Sequence, residues 1–138
     1  MANYEGTTKT NYFRTTNAEE LESIINNIVS EDDIHLSSRE INNELYFSFS
    51  TMGDIGGVYI EEDEDYDYDL MCEQLQKVVH PEDAIIITSV GNEKLRYVAG
   101  DSTIITVNGV EHINIWNESQ KVAKKLLNNP NYDFECSY

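Results

Sequence analysis

The chain has little positive charge: 9 Lys and Arg stand against 26 Asp and Glu, a net charge of −17 over 138 residues. Such a field repels nucleic acid and anionic membranes and speeds encounter with basic surfaces, so direct binding to a polyanion is excluded as a first expectation. The charge also exceeds the magnitude of about 2–8 that keeps a small domain soluble, so solubility alone does not require it. Cysteine is scarce too. Cys72 and Cys136 belong to no CxxC pair and no Cys/His cluster with zinc spacing, which leaves two reduced thiols in place of a disulfide scaffold or a zinc finger. No apolar run approaches the roughly 20 residues that cross a bilayer, and Met1 to Thr10 has no signal-peptide pattern, so a cytoplasmic protein is expected.

Signatures of catalysis are missing as well. His35, His80 and His112 are scattered, and there is no HExxH helix, GxSxG elbow or P-loop. Gly53-Asp54-Ile55-Gly56-Gly57 lacks the lysine and the strand-to-helix setting of a phosphate cradle and reads as a flexible turn. The expectation is a protein that is not an enzyme and carries no cofactor and no metal.

What is present suffices for one core: 40% hydrophobic residues, with nine Tyr and four Phe, in a chain of single-domain length spanning 1–138. Residues 1–16 mix Thr, Asn and aromatics without helical period and read as an extended arm or edge strand. Asn17 then caps a helix of about Ala18 to Ser30, with Glu20 completing a capping box and Leu21, Ile24, Ile25, Ile28 and Val29 on one face. Ile34 and Leu36, then Leu45, Phe47 and Phe49, alternate with polar residues around Asn42-Asn43, a hairpin signal, and Val58-Tyr59-Ile60 can add a third strand.

From about Asp67, Met71, Leu75, Val78 and Val79 define a second helix that ends at His80-Pro81, with Cys72 on its inner face. Four β-branched runs follow (Ala84 to Val90, Leu95 to Ala99, Thr103 to Val107, Val110 to Ile115), separated by Gly91-Asn92, Gly100-Asp101 and Asn108-Gly109, as in an antiparallel meander. Asn117 and Gln120 form a further cap pattern before a stripe of Val122, Ala123, Leu126 and Leu127, and Lys121, Lys124 and Lys125 suit that helix's negative end. A polar-aromatic tail, 131–138, closes the chain. The fold class expected is α+β, an antiparallel sheet with about three helices packed on it, in the order α-β(2-3)-α-β(3-4)-α.

The strongest local feature is Glu61-Glu62-Asp63-Glu64-Asp65-Tyr66-Asp67-Tyr68-Asp69, seven carboxylates in nine residues. Three readings compete. Asp63, Asp65 and Asp67 match the opening of a calcium loop, but the positions that need Gly and a bidentate Glu hold Tyr68 and Gln74; starting from Asp65 places Leu70 and Gln76 there. Weak divalent binding is all that survives. A solvated loop or helix N-terminus explains two or three acids, which favour the helix dipole, but not seven. The third reading is mimicry of nucleic acid: nine extended residues span about 30 Å at roughly 3.3 Å each, and a helix would space the charges at about 2 Å. The extended form thus carries one carboxylate per about 4 Å, and the two spacings fall near the roughly 3.4 Å per charge of one DNA strand and roughly 1.7 Å of both strands together. Residues 40–93 hold 14 acids against Lys77 alone, which is −13 of the −17, so the charge is concentrated. The candidate partner-binding residues are the nine of the tract, with Tyr66 and Tyr68 as aromatic contact area, together with Glu73.

Two segments, Ala2-Asn3-Tyr4-Glu5-Gly6-Thr7-Thr8-Lys9-Thr10-Asn11-Tyr12-Phe13-Arg14 and Asn92-Glu93-Lys94-Leu95-Arg96-Tyr97-Val98, with an acidic Tyr/Asp tract between them, resemble a family of small acidic proteins carried on conjugative elements and phages of Firmicutes. The resemblance implies a setting in which antirestriction and anti-CRISPR proteins are common, many of them DNA mimics. The functional expectation is therefore an acidic DNA-mimic inhibitor bound to the nucleic-acid site of a host defence nuclease, a basic nucleic-acid-binding protein. The alternative is an adaptor or regulator docked on a basic surface away from that site. The oligomeric state stays open, a dimer included.

Overall fold

The computed structural model describes residues 5–93 and 97–132, Tyr97 by its backbone alone. The predicted hairpin forms as β3 (His35–Ile41) and β4 (Glu44–Met52), paired from Ile41↔Glu44 to His35↔Ser50. Asn42 and Asn43 both take left-handed φ, 53° and 67°, which the tight turn demands and Asn tolerates.

The N-terminal stretch differs from its expectation. β1 (Glu5–Thr10) is neither arm nor edge but a central strand of a six-stranded antiparallel sheet of order β3-β4-β1-β7-β8-β9. Composition hides this because the strand's inward residues are threonines. Thr8 and Thr10 are buried, and the Thr8 hydroxyl donates to the Gly53 carbonyl at 2.8 Å beside Ser89 Oγ, so its burial leaves no unpaired polar atom. Residues 1–4 of the expected arm and 133–138 of the tail, with Cys136, lie outside the described residues.

The meander also forms, with fewer breaks than its glycines suggest. β7 (Ile85–Glu93) runs through Gly91-Asn92, β8 (Tyr97–Thr106) runs through Gly100-Asp101, and β9 (Gly109–Asn114) follows the expected turn. Two expected strands are therefore one, although Leu95 and Arg96 of the first fall outside the described residues. Gly100 is a point of close approach and not a turn: a Cβ there would stand 3.1 Å from Ile115 Cγ2.

The first helix, α1 (Ala18–Asn26), starts at the predicted cap, where Asn17 Oδ1 accepts from Glu20 N at 3.1 Å, but it stops early. Ile28–Ser30, expected as helix, form β2, the β-branched residues pairing with β5 (Ile55–Ile60) in a second, three-stranded sheet of order β2-β5-β6. Helix α2 (Tyr68–Val78) ends as expected ahead of Pro81. The core lies where α1 (Leu21, Ile24, Ile25), α2 (Met71, Leu75, Val78) and Val58 meet the inner face of the large sheet at Phe49, Ile85, Ile87 and Ile105. Phe13 closes it with an edge-to-face contact to Phe49, centroids 6.3 Å apart. The class is the expected α+β.

The third helix, α3 (Ile115–Leu127), is capped three residues earlier than expected. Asn114 serves, accepting from Trp116 N and Asn117 N, and Asn128 closes the far end in the left-handed region. No residue of α3 is buried, so its apolar stripe is not spent on the core. No helix among the described residues is long and apolar enough to cross a membrane.

Candidate partner-binding surface

The acidic tract is neither an extended rod nor a single helix. Residues 61–64 make a turn in which Glu64 takes φ 50°, Asp65–Asp67 return as β6 against β5, and Tyr68 starts α2. The expected 30 Å line of charge is therefore folded back on itself, and Glu61, Glu62, Asp63, Glu64 and Asp65 crowd at one hairpin tip, all exposed. A reversal between paired strands brings like charges together, which the chain accepts because water surrounds every one of them. Asp69 and Glu73 continue outward along α2, exposed and four residues apart, a rise of about 6 Å on one helix face. Among the described residues, no lysine or arginine is paired with any of these seven carboxylates.

Two of the sequence-expected residues have other duties, and a third keeps its expected role. Asp67 is the N-cap of α2, its Oδ1 accepting from Leu70 N at 3.0 Å, which fixes the helix start and half-buries the side chain. Tyr68 turns inward, its hydroxyl 2.8 Å from Thr103 Oγ1, and burial raises its pKa against that hydrogen bond; it offers a partner no ring face of the kind expected. Tyr66 does, at 53% exposure, opposite the exposed Tyr59 across the β5–β6 ladder.

What seats the hairpin is the Gly56-Gly57 pair, read from sequence as flexible. Gly57 has φ 131°, and a Cβ there would lie 2.4 Å from the Asp67 carbonyl, so only glycine lets β5 pass this close to the start of α2. Gly56 lies under the Tyr66 ring, where a Cβ would come within 2.8 Å of Cε2. Two glycines inside a β-branched run are the signal for such an approach, and the turn reading overlooked it.

The remaining acids of 40–93 are not all free surface. Arg14 grips Asp83 through Nε and Nη2, each at 2.9 Å, with its own backbone N–H also donating to Asp83 at 2.8 Å, and reaches Glu44 at 3.0 Å. The Arg14 hydrogen bonds hold the Asp83 carboxyl below its ordinary range. Cys72 is buried as expected, its thiol pushed up to about 11 by desolvation and then by Asp69, which makes it a poor nucleophile. Among the described residues no three His, Cys, Asp or Glu side chains converge as a metal cage, and the three histidines lie on separate elements or loops. The surface can present dense negative charge and an aromatic pair; it brings together no acid-base couple. The chain matches no family model, no curated protein and no solved structure.

Proposed function

We propose that the protein is an acidic DNA-mimic inhibitor that occupies the nucleic-acid site of a basic partner, a host defence nuclease of the antirestriction or anti-CRISPR target class, and performs no chemistry of its own. The observation that carries the reading is the hairpin tip: five adjacent carboxylates, Glu61 to Asp65, exposed, unpaired with any described cation, and held by a glycine-dependent seat to a capped helix. Carboxylates that no internal cation neutralises keep their field for an incoming one. A fixed seat means that little freedom remains to be lost on binding. Asp69 and Glu73 extend the charge along α2, and Tyr66 with Tyr59 adds rigid contact area of the kind enriched at interfaces. The setting implied by the resemblance, the cytoplasm of a bacterial host, agrees.

The test is capture of partners from a bacterial lysate with the tagged full chain at low and high salt, beside a variant carrying Glu61→Gln, Glu62→Gln, Asp63→Asn, Glu64→Gln and Asp65→Asn. The expected result is a nucleic-acid-handling protein that is released by salt, lost with the variant and displaced by duplex DNA, since screening shortens from about 10 Å at 0.1 M to about 3 Å at 1 M. A captured complex that still binds DNA would move the protein to the adaptor class, and capture unchanged by the variant would overturn the assignment of the surface.

A further inference from the structure

The small sheet carries an aromatic surface beside the acidic tip. Tyr59 and Tyr66 stand directly opposite each other in the β5–β6 ladder, so both side chains leave on the same face, and both are exposed. The Tyr66 ring does not lean toward the turn. It lies along β5 in the other direction, over Gly56, where a Cβ would stand 2.8, 2.9 and 3.2 Å from its Cε2, Cδ2 and Cζ. Gly56 and Tyr59 are three residues apart, so the two rings cover about 10 Å of the strand. Carboxylates stand beyond both ends: exposed Asp54 lies two residues before Gly56, and Glu61 to Asp65 follow past Tyr59. Among the described residues, no lysine or arginine makes a salt bridge with any of them.

The opposite end of the molecule shows what such a surface takes. Arg14 lies over the Tyr46 ring, 5.7 Å from its centroid, while it grips Asp83 and reaches Glu44, and Arg39 lies over the Tyr12 ring at 5.8 Å. Among the described residues both cation–ring contacts are made by arginine, and Arg14 joins ring and carboxylate in one side chain. The β5–β6 face has the rings and the carboxylates without the arginine. A guanidinium is flat and weakly hydrated, so it stacks on a ring while its N–H edge goes to a carboxylate; an ammonium is a strongly hydrated point charge that cannot do both.

We propose that Tyr59 and Tyr66 form an arginine-reading shelf: an arginine of the basic partner stacks on the solvent side of the Tyr66 ring and turns its N–H edge to Asp54, while the segment that carries it runs along β5 to the tip carboxylates. This rests on the tip being the surface that meets a basic partner. It adds which basic side chain is preferred, and it brings into the site Asp54, which lies outside the acidic tract. Because Gly56 seats the ring before anything binds, little freedom of Tyr66 is lost on stacking.

Hexa-arginine and hexa-lysine, equal in length and charge, are the probes, each labelled and titrated with the full chain by fluorescence anisotropy at one low ionic strength. The expected Kd for hexa-arginine is about two- to fivefold tighter, the size of one exposed cation–ring contact. Tyr66→Leu removes the preference and leaves hexa-lysine nearly unchanged, Tyr66→Phe keeps it, and Asp54→Asn reduces it. In the wild-type complex the arginine side-chain protons shift upfield under the ring current, and with Tyr66→Leu they do not. Equal affinities for the two peptides, or a preference that survives Tyr66→Leu, overturn the shelf and leave the tip a surface of charge alone; Asp54→Asn without effect overturns the placement of the N–H edge. Failure of both peptides to bind overturns shelf and tip together. The inhibitor reading fails separately, when lysate capture yields no nucleic-acid-handling protein, and that result leaves the peptide preference standing.

Discussion

Helices α2 and α3 are both amphipathic, both begin at an Asx cap and both carry lysine in the last turn, yet α2 buries Met71, Cys72, Leu75 and Val78 while α3 buries nothing. The difference lies in what precedes and receives each helix. α2 grows out of β6, which Gly57 seats against β5, and it lands between α1 and the inner face of the large sheet. The N-terminal segment then ties down its far end: Thr16 N–H donates to the Val78 carbonyl at 2.8 Å, and His80 N–H to the Arg14 carbonyl at 3.1 Å. α3 follows the edge strand β9 and packs mainly on β8 and β9, so Ile115, Val122, Leu126 and Leu127 stay exposed. Amphipathic period states that a face needs cover. It does not state that the same chain provides it.

The widest separation between the two helices should come from matched truncations. Leu75→Ala, at a fully buried site, is expected to cost about 2–5 kcal/mol of unfolding free energy, whereas Leu126→Ala should stay within about 0.5 kcal/mol in dilute solution. Urea unfolding of both variants reads the contrast, and equal losses would break it.

A smaller effect follows from Asp83, which helps Arg14 hold the end of α2. Its folded pKa is lowered by the Arg14 hydrogen bonds, so its contribution to stability is full above the unfolded value of about 3.9 and disappears as pH falls through the depressed native value. Asp83→Asn should lower Tm at neutral pH and flatten its fall below about pH 4, and amide exchange should quicken in the last turn of α2 before any change in α3. A variant as acid-sensitive as the wild type would remove Asp83 from the account.

The smallest difference is expected at the caps. Asp67→Ala and Asn114→Ala each remove one Asx cap at a cost of about 1 kcal/mol, because the cap is a local device indifferent to burial. Unequal costs, measured by thermal unfolding, would mean that the acidic hairpin depends on Asp67 for more than the helix start.

Much of this fold is legible in the sequence. The Asn42-Asn43 hairpin, the Asn17 cap, the end of α2 ahead of Pro81 and the exposure of Glu61 to Asp65 each follow from a rule that acts within a few residues. The failures share a cause. β1 reads as an arm or edge strand because the burial of Thr8 depends on Gly53 and Ser89, 45 and 81 residues away, and that of Thr10 on Ser48, 38 residues away. Ile28–Ser30 continued a helical period and became strand because β5 was there to pair with. Gly57 and Gly100 read as turns in sequence, yet each makes room for another element, the start of α2 and Ile115 of α3.

Local sequence therefore determined the helices' faces, the turns that need left-handed backbone and the place where charge is densest, since steric preference and solvation act at short range. Tertiary structure decided which strand is central, that the acidic tract folds into a tip with Tyr68 turned inward, and that α3 keeps its apolar face in water. Those outcomes depend on contacts between segments tens of residues apart, and no periodicity within a segment can specify them.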